Sequence, residues 1–204
     1  RAQQKKIKLQ EYPLETLLSL AYDPVDARGT TPLFWAAWAG RAPVVSALLS
    51  DEISTSPNTR LRKTPLADVR ARDLTGRTVL HVVVSGLHHA LTQRMLSRAR
   101  GVVNCLALLL KMDTDPRAVD HYDNTPLHVL SAVPIRIDHA GDSRAALIVR
   151  TAELLLTAGT PLAKQNCKGI TALQLMAQSG CEALIDHVLT NCKDRHPWLF
   201  LDSQ

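Results

Sequence analysis

The sequence has few aromatic residues and no long apolar run. Aromatics make up 4% of the 204 residues, while 46% are hydrophobic, so Leu, Ala and Val supply most of the apolar content and favour closely packed helices. No stretch approaches the roughly 20 apolar residues that cross a bilayer, and the first ten residues lack the apolar centre of a signal peptide. We therefore expect an all-α domain with one sizeable core and no membrane segment in this chain.

Cysteine is also scarce, and no two cysteines are spaced as CxxC. Cys105, Cys167, Cys181 and Cys192 are scattered, which favours reduced thiols and a cytoplasmic or nuclear location. The formal net charge of +5 is far below that of a dedicated nucleic-acid module. It indicates at most a preference for acidic partners.

The motifs of common enzymes are missing. The chain contains no HExxH, no GxSxG and no Gly-rich phosphate loop ending in GK[ST]. Cys192 with His196, and His88 with His89, fall short of the roughly four ligands of a structural zinc site. We expect no enzyme activity, no cofactor, no metal and no small-molecule substrate.

One short phrase occurs four times along the chain. It reads TTPLFWAAWAG from Thr31, RTVLHVVVSG from Arg77, NTPLHVLSA from Asn124 and ITALQLMAQSG from Ile170. Successive threonines of the phrase (Thr31, Thr78, Thr125, Thr171) lie 47, 47 and 46 residues apart. Each Thr can cap a helix, and Pro is well tolerated in the turn that follows.

A pair of apolar residues that closes a second helix shows where these copies are enlarged. The pairs are Leu48/Leu49, Leu109/Leu110, Leu155/Leu156 and Val188/Leu189. Their spacing places 14 extra residues after the helices of copy one, 14 between the helices of copy two and 13 between those of copy three. Without these inserts, the first three copies have the same length of 33 residues.

With the inserts removed, the chain resembles the ankyrin-repeat family, whose repeat is about 33 residues long. The family's turn DxxGxT and helix start TPLHxAAxxG are matched best by DARGTTPLFWAAWAG in copy one. Copy three has Asp123 in place of the turn glycine and copy four has Asn166 in place of Asp, and the turn tolerates both. The resemblance covers about residues 26 to 192 and implies an ankyrin-repeat solenoid of helix pairs with protruding β-turn fingers.

We expect one ankyrin-repeat domain over residues 1–204. Its parts are an N-terminal cap segment (1–25), repeat 1 with a basic Ser/Pro insert (26–72), repeat 2 (73–119) and repeat 3 (120–165) with inserts between their helices, repeat 4 or C-terminal cap (166–196), and a tail (197–204). Leu87, Leu91 and Met95 predict that the second insert extends a helix, whereas the third insert should begin as a loop. Trp198 and Phe200 could fold back over the last repeat.

The framework positions of the family predict the core. They place Trp35 there, and Val44, Val45, Leu48 and Leu49 have the spacing of an inward-facing helix side. His81 and His128 occupy the His of TPLH, which in the family makes hydrogen bonds between turns. We interpret both histidines as structural.

The resemblance also implies a partner-binding surface on the turn tips and the concave side of the first helices. The matching variable positions include Arg28, Trp38, Leu74, Thr75, Arg77, His121, Tyr122, Asn124, Lys168 and Gln178. Trp38 is the favoured anchor, because large aromatics dominate many interfaces. The alternative is that Trp38 packs on the N-terminal segment or on the first insert.

The first insert is basic and contains Ser-Pro and Thr-Pro pairs. Ser56, Arg60, Arg62, Lys63 and Thr64 could form a docking or phosphorylation segment, or simply a solvated linker. Thr31 and Thr125 also precede Pro but are expected to be helix caps.

These features predict a non-enzymatic protein-binding module: an adaptor, inhibitor or regulatory subunit, monomeric or in a hetero-complex. One alternative is the cytosolic ankyrin module of a larger channel or multidomain enzyme. Another is a nucleic-acid-associated regulator that uses the basic insert with Arg94, Arg98 and Arg100, which the modest net charge disfavours.

Overall fold

The computed structural model of the protein describes residues 25–49, 67–132, 143–180 and 182–192. These residues form eight α-helices and no β-strand. The helices are α1 (Pro32–Trp38), α2 (Ala42–Leu49), α3 (Val79–Thr92), α4 (Leu96–Leu109), α5 (Pro126–Ser131), α6 (Ser143–Thr157), α7 (Ala172–Ser179) and α8 (Glu182–His187), and a π-helical turn (Val188–Cys192) follows α8.

The helices are arranged as four pairs stacked in chain order. The first helices α1, α3, α5 and α7 pack side by side, and the second helices α2, α4, α6 and α8 do the same. One continuous apolar core, which includes Leu33, Leu80, Leu127, Leu155 and Met176, runs through the stack. Each pair leaves an apolar side that its neighbour in the stack buries, as expected for a solenoid.

The recurring threonines begin the first helices, as predicted. The hydroxyl of Thr31 accepts from the Phe34 N–H at 3.4 Å, that of Thr125 from the His128 N–H at 3.4 Å, and that of Thr171 from the Gln174 N–H at 3.3 Å. These contacts satisfy N–H groups that a helix start otherwise leaves without a partner. The start of these three pairs is therefore determined by the local sequence.

The insert of copy two lengthens both of its helices. α3 and α4 have 14 residues each, against 7 and 8 in α1 and α2. Leu87 and Leu91 lie on the buried side of α3, so the predicted helical extension is confirmed for them. It is wrong for Met95, since α3 ends at Thr92 and Arg94 adopts a left-handed φ of 54° that breaks the helix.

Two glycines let the first and second pairs approach closely. A Cβ on Gly86 in α3 would lie 2.4 Å from the carbonyl oxygen of Trp38, and a Cβ on Gly101 in α4 would lie 2.4 Å from that of Gly40. Real Cβ atoms do not approach an oxygen so closely, so any larger residue would push the pairs apart. The distance between these pairs is therefore set by glycine.

Two predictions of burial in copy one are wrong. Trp35 is 50% exposed and Val44 is 48% exposed, although Val45 and Leu49 are buried and Leu48 is half-buried as expected. Both exposed side chains belong to the first described repeat. The physical reason is position: inner repeats are covered by the repeat before them, and no described residue precedes Val25.

Several predicted segments lie outside the described residues. They are the N-terminal cap before Val25, most of the basic insert, the start of the third insert, and the tail with Trp198 and Phe200.

Candidate interaction surface

Four turns of similar construction, the fingers, each precede one first helix. They start at Asp26, Asp73, Asp120 and Asn166, and in each finger the side-chain Oδ1 accepts the backbone N–H groups two and four residues later at 2.8–3.1 Å. The fourth residue has a left-handed φ, which glycine supplies in three fingers and Asp123, at 59°, in the third. The Asx side chain thus holds each finger in shape.

Backbone hydrogen bonds join each finger to the next. The N–H of Leu74 donates to the carbonyl of Arg28, that of His121 to Thr75 and that of Cys167 to Tyr122, each at 3.0 Å. We call the tips joined in this way, residues 27–28, 74–75, 121–122 and 167–168, the finger ridge. Because every link uses main-chain atoms, joining the fingers occupies none of the side chains at these positions, although the Thr75 hydroxyl donates to Asp73 within its own finger at 2.7 Å.

Most of the predicted contact residues are exposed on or near this ridge. Leu74 is 70% exposed and Tyr122 61% exposed, and the remaining exposed ones are Arg28, Thr75, His121, Lys168 and Gln178. Gln178 lies in α7 rather than in a finger. The imidazole of His121 lies against Gly76 of the preceding finger, since a Cβ there would meet it at 2.4 Å.

Arg77 and Asn124 are partly used within the fingers. Arg77 forms an ion pair with Asp73 at 2.7 Å. The Asn124 amide donates to Asp120 at 3.2 Å, and its side-chain oxygen accepts from Asn166 at 3.0 Å. Both side chains are half-buried, so they hold the fingers together as much as they face solvent.

The carboxylates that start the first three fingers accept hydrogen bonds from their own fingers; Asp73 and Asp120 are buried, whereas Asp26 is exposed. Hydrogen bonds from Thr30, and further ones from Arg28 and Trp35, lower the pKa of Asp26 to about 2. Burial alone would raise the pKa of Asp73, but hydrogen bonds from Thr75 and Arg77 outweigh it and lower the pKa. The exposed charges on and beside the tips are those of Arg28 and Lys168, of Asp26 at the start of the first finger, and of Asp123 beside Tyr122.

Trp38, the favoured anchor, is half-buried within the stack. The guanidinium carbon of Arg98 in α4 lies 4.2 Å from the centre of its ring, and the rings of Trp35 and His89 lie 5.9 and 5.1 Å away, respectively. The sequence did not predict that Arg98 or Trp35 would contact the Trp38 ring. Arg98 lies in the insert, where the repeat pattern assigns no position, so the pattern could not reveal this contact.

His81 and His128 link neighbouring repeats. The Nδ1 of His81 accepts from the Thr78 N–H at 3.2 Å, and its Nε2 lies 2.8 Å from the Asn124 carbonyl, to which it donates. His128 repeats this with Thr125 and, at 3.2 Å, Ile170. Burial lowers the pKa of both imidazoles, which agrees with neutral rings whose Nδ1 is an acceptor. The predicted structural role of both is confirmed.

The remaining sequence predictions concern the basic insert, metal ligands, membrane spans and the cysteines. Ser56, Arg60, Arg62, Lys63 and Thr64 lie outside the described residues. Within the described ranges no three His, Cys, Asp or Glu side chains are placed to hold a metal, and none of the helices found there could span a membrane. Cys105 and Cys167 are free thiols, and burial raises the pKa of Cys105 to about 11.

Residues 28–60 match the family model described as Ankyrin repeat. The match begins at the first finger and includes α1 and α2. No curated protein matches the chain in sequence. Ankyrin repeats are in general modules for protein–protein interaction and are typically non-catalytic.

Proposed function

We propose that this chain, whose fold is an all-α ankyrin-repeat solenoid, is a non-enzymatic module that binds an extended segment of another protein along the finger ridge. The segment combines apolar residues at its centre with acidic residues near its ends. By such binding the chain would act in the cell as an adaptor, an inhibitor or a regulatory subunit.

The observation that carries this proposal is the pair of exposed apolar tips on neighbouring fingers. Leu74 and Tyr122 are 70% and 61% exposed, although the link between their fingers runs through the backbone of Thr75 and His121. Stacking of the repeats therefore requires neither side chain. Their burial by a partner would contribute roughly 25 cal/mol for each Å² of apolar surface covered, and tyrosine is common among the residues that dominate interfaces.

The charge at the ends of the ridge supports acidic residues in the partner. Arg28 on the first finger and Lys168 on the fourth are both exposed, while the carboxylates of Asp26 and Asp73 are engaged by hydrogen bonds inside their own fingers. A segment with carboxylates at both ends complements this arrangement. The exposed acidic residues beside the ridge are Asp26, which accepts hydrogen bonds within the first finger, and Asp123, which lies next to Tyr122.

Selection from a phage-displayed library of random peptides tests the proposal without a known partner. We expect the full chain to enrich peptides with an apolar centre and acidic flanks, and Leu74→Ala with Tyr122→Ala to lose that enrichment. Both changes remove exposed side chains, so the free energy of unfolding should change by less than about 0.5 kcal/mol per site.

A matched control changes exposed apolar residues away from the ridge. Met95 and Met112 are 48% and 37% exposed. Met95 lies directly before α4, and Met112 lies in the loop after it. The variant with Met95→Ala and Met112→Ala should enrich the same peptides as the unchanged chain. If no peptide is enriched, or if the Leu74/Tyr122 variant selects the same set, the ridge is not the binding surface.

A further inference from the structure

Asp123 differs from the residue at the same place in the other fingers. The fourth residue of each finger has a left-handed φ, and the other three fingers have Gly29, Gly76 and Gly169 there. Asp123 adopts this conformation with a φ of 59°, which is unfavourable for a residue that has a Cβ. Local geometry alone therefore favours glycine and does not account for the aspartate.

The carboxylate of Asp123 is not used to hold its finger. Aspartate adopts a left-handed φ more readily when its side chain hydrogen-bonds nearby. Asp123 is exposed, and within the part of the chain that the structure describes its carboxylate forms neither a hydrogen bond nor an ion pair. The exposed Asp26, by contrast, accepts hydrogen bonds from the Thr30 backbone and hydroxyl at 2.9 and 2.6 Å. The charge of Asp123 is therefore free to meet a partner.

Asp123 lies on the side of its finger that faces the next finger. In the first two fingers, a Cβ at the same place would meet the finger that follows. It would lie 3.2 Å from the Leu74 nitrogen for Gly29 and 2.4 Å from the His121 ring for Gly76. Since the fingers are linked by equivalent backbone hydrogen bonds, the Cβ of Asp123 is directed toward the tip of the fourth finger.

The exposed side chains of the finger ridge and its border therefore follow a defined order of charge. From the first finger to the fourth, this order is positive, apolar, apolar, negative and positive, given by Arg28, Leu74, Tyr122, Asp123 and Lys168. A segment that has only apolar and acidic residues leaves the negative position unmatched, because its carboxylates repel that of Asp123. A basic residue at this place removes the mismatch.

We propose that Asp123 selects a basic residue in the partner, placed between the apolar residue that covers Tyr122 and the acidic residue that meets Lys168. This inference rests on the proposed function and adds to it one positive charge at a defined place. Asp123 attracts a partner with that charge and repels acidic segments that lack it, and specificity commonly combines both effects. An unfavourable backbone conformation is retained at a binding site when the side chain has such a role.

Peptide selection with Asp123→Asn tests the proposal. Asparagine keeps the size of the side chain and tolerates a left-handed φ, but it has no charge. We expect the unchanged chain to enrich peptides with Lys or Arg between the apolar centre and one acidic end. Asp123→Asn should enrich apolar and acidic peptides without a preference for that basic residue. Asp186→Asn is the matched control, because Asp186 is also exposed but lies in α8, and it should select the same peptides as the unchanged chain.

The affinity of one enriched peptide provides a second measurement. Replacing its basic residue with Ala should weaken binding to the unchanged chain about two- to fivefold at low salt, as expected for an exposed charge pair, and should not affect binding to Asp123→Asn. Fluorescence anisotropy of the labelled peptides measures both affinities, and circular dichroism shows that the variant is folded. A purely structural role of Asp123 would not produce this difference, since the asparagine variant keeps the shape of the finger.

The outcomes separate this inference from the proposed function. Enriched peptides with an apolar centre and acidic ends but no preferred basic residue would refute the inference and leave the finger ridge as the binding surface. An equal preference for the basic residue in Asp123→Asn would also refute it. If the unchanged chain enriches no peptide, the proposed function fails and the inference fails with it.

Discussion

The guanidinium of Arg98 lies over the ring of Trp38, 4.2 Å from its centre, while Nη2 donates to the Trp38 carbonyl at 3.1 Å. This contact joins α4 of the second repeat to α1 of the first. A cation held against an indole in a partly buried site contributes about 0.5–2 kcal/mol. The insert of copy two thus adds a contact that a repeat without an insert lacks.

Arg98→Lys is expected to lower the free energy of unfolding by about 1 kcal/mol, because lysine keeps the charge but not the planar group that stacks and donates. Unfolding in urea followed by circular dichroism measures the change. Arg100→Ala in the same helix, where the side chain is exposed, should change stability by less than about 0.5 kcal/mol. Equal effects of the two substitutions would show that the stacking has no energetic weight.

Gly86→Ala is expected to destabilise the protein by at least about 2 kcal/mol, since the new Cβ would lie 2.4 Å from the Trp38 carbonyl oxygen. Helix propensity alone would favour alanine by about 1 kcal/mol, so a loss of stability must come from the clash. Asn104→Ala, at an exposed position inside α4, provides the comparison and should be neutral or slightly stabilising. The midpoint of thermal unfolding, measured for each of the two variants, gives its change in stability.

Stability should fall as the pH decreases below about 6.5. Burial lowers the pKa values of His81 and His128 below the ordinary imidazole value of about 6.5, so the unfolded chain binds more protons than the folded one in this range. The stability that the two neutral histidines contribute is therefore fully present above pH 6.5 and is lost progressively as the pH falls below that value. Urea midpoints at pH 7.5 and pH 5.5 measure the loss.

Gln174 suggests the variant for that experiment, because its side-chain oxygen accepts from the Thr171 N–H at 2.8 Å in the place of the histidine ring. The double change His81→Gln and His128→Gln should keep this local bond, lower stability at pH 7.5 and weaken the dependence on pH. An unchanged pH dependence would mean that other groups cause it.

Asp123→Gly is expected to stabilise the protein by about 0.5–1 kcal/mol. Asp123 has a φ of 59°, while the same position is glycine in the other three fingers, and a left-handed conformation costs a residue with a Cβ roughly 1–2 kcal/mol. The reverse change in the first finger, Gly29→Ala, should destabilise by a similar amount. A higher unfolding midpoint for Asp123→Gly and a lower one for Gly29→Ala would confirm these two predictions.

Reversing the end charges of the ridge, with Arg28→Glu and Lys168→Glu, should weaken binding of a selected acidic peptide about tenfold or more at low salt. Affinity of the unchanged chain should also decrease as salt rises, because exposed charges are screened. Titration calorimetry at two salt concentrations checks both. Binding that is indifferent to the charge reversal would leave only the apolar tips as determinants.

The repeat pattern predicted the helix starts well because the cause is local. Thr31, Thr125 and Thr171 accept hydrogen bonds from residues three positions later, so a few residues of sequence contain the whole interaction. His81 and His128 were also assigned correctly, since each joins two adjacent units of one repeating pattern.

Other features depend on position in the stack, which no single repeat encodes. Trp35 occupies a framework position, yet its exposure depends on what precedes the first repeat. Trp38 looked like a free anchor, but Arg98, 60 residues later, covers its ring. The end of α3 at Thr92 was missed because apolar spacing continues to Met95 while the backbone turns at Arg94.

The backbone bonds between successive fingers have a consequence for recognition. Because Leu74, His121 and Cys167 are each tied to the finger before them through main-chain atoms, the spacing of the tips is set when the chain folds and not when a partner arrives. In the proposed binding mode the ridge acts as a preorganised template, and the conformational entropy lost on association falls mainly on the incoming segment. The exposed side chains of Leu74 and Tyr122 can therefore be exchanged to alter the specificity of the proposed binding without altering the template.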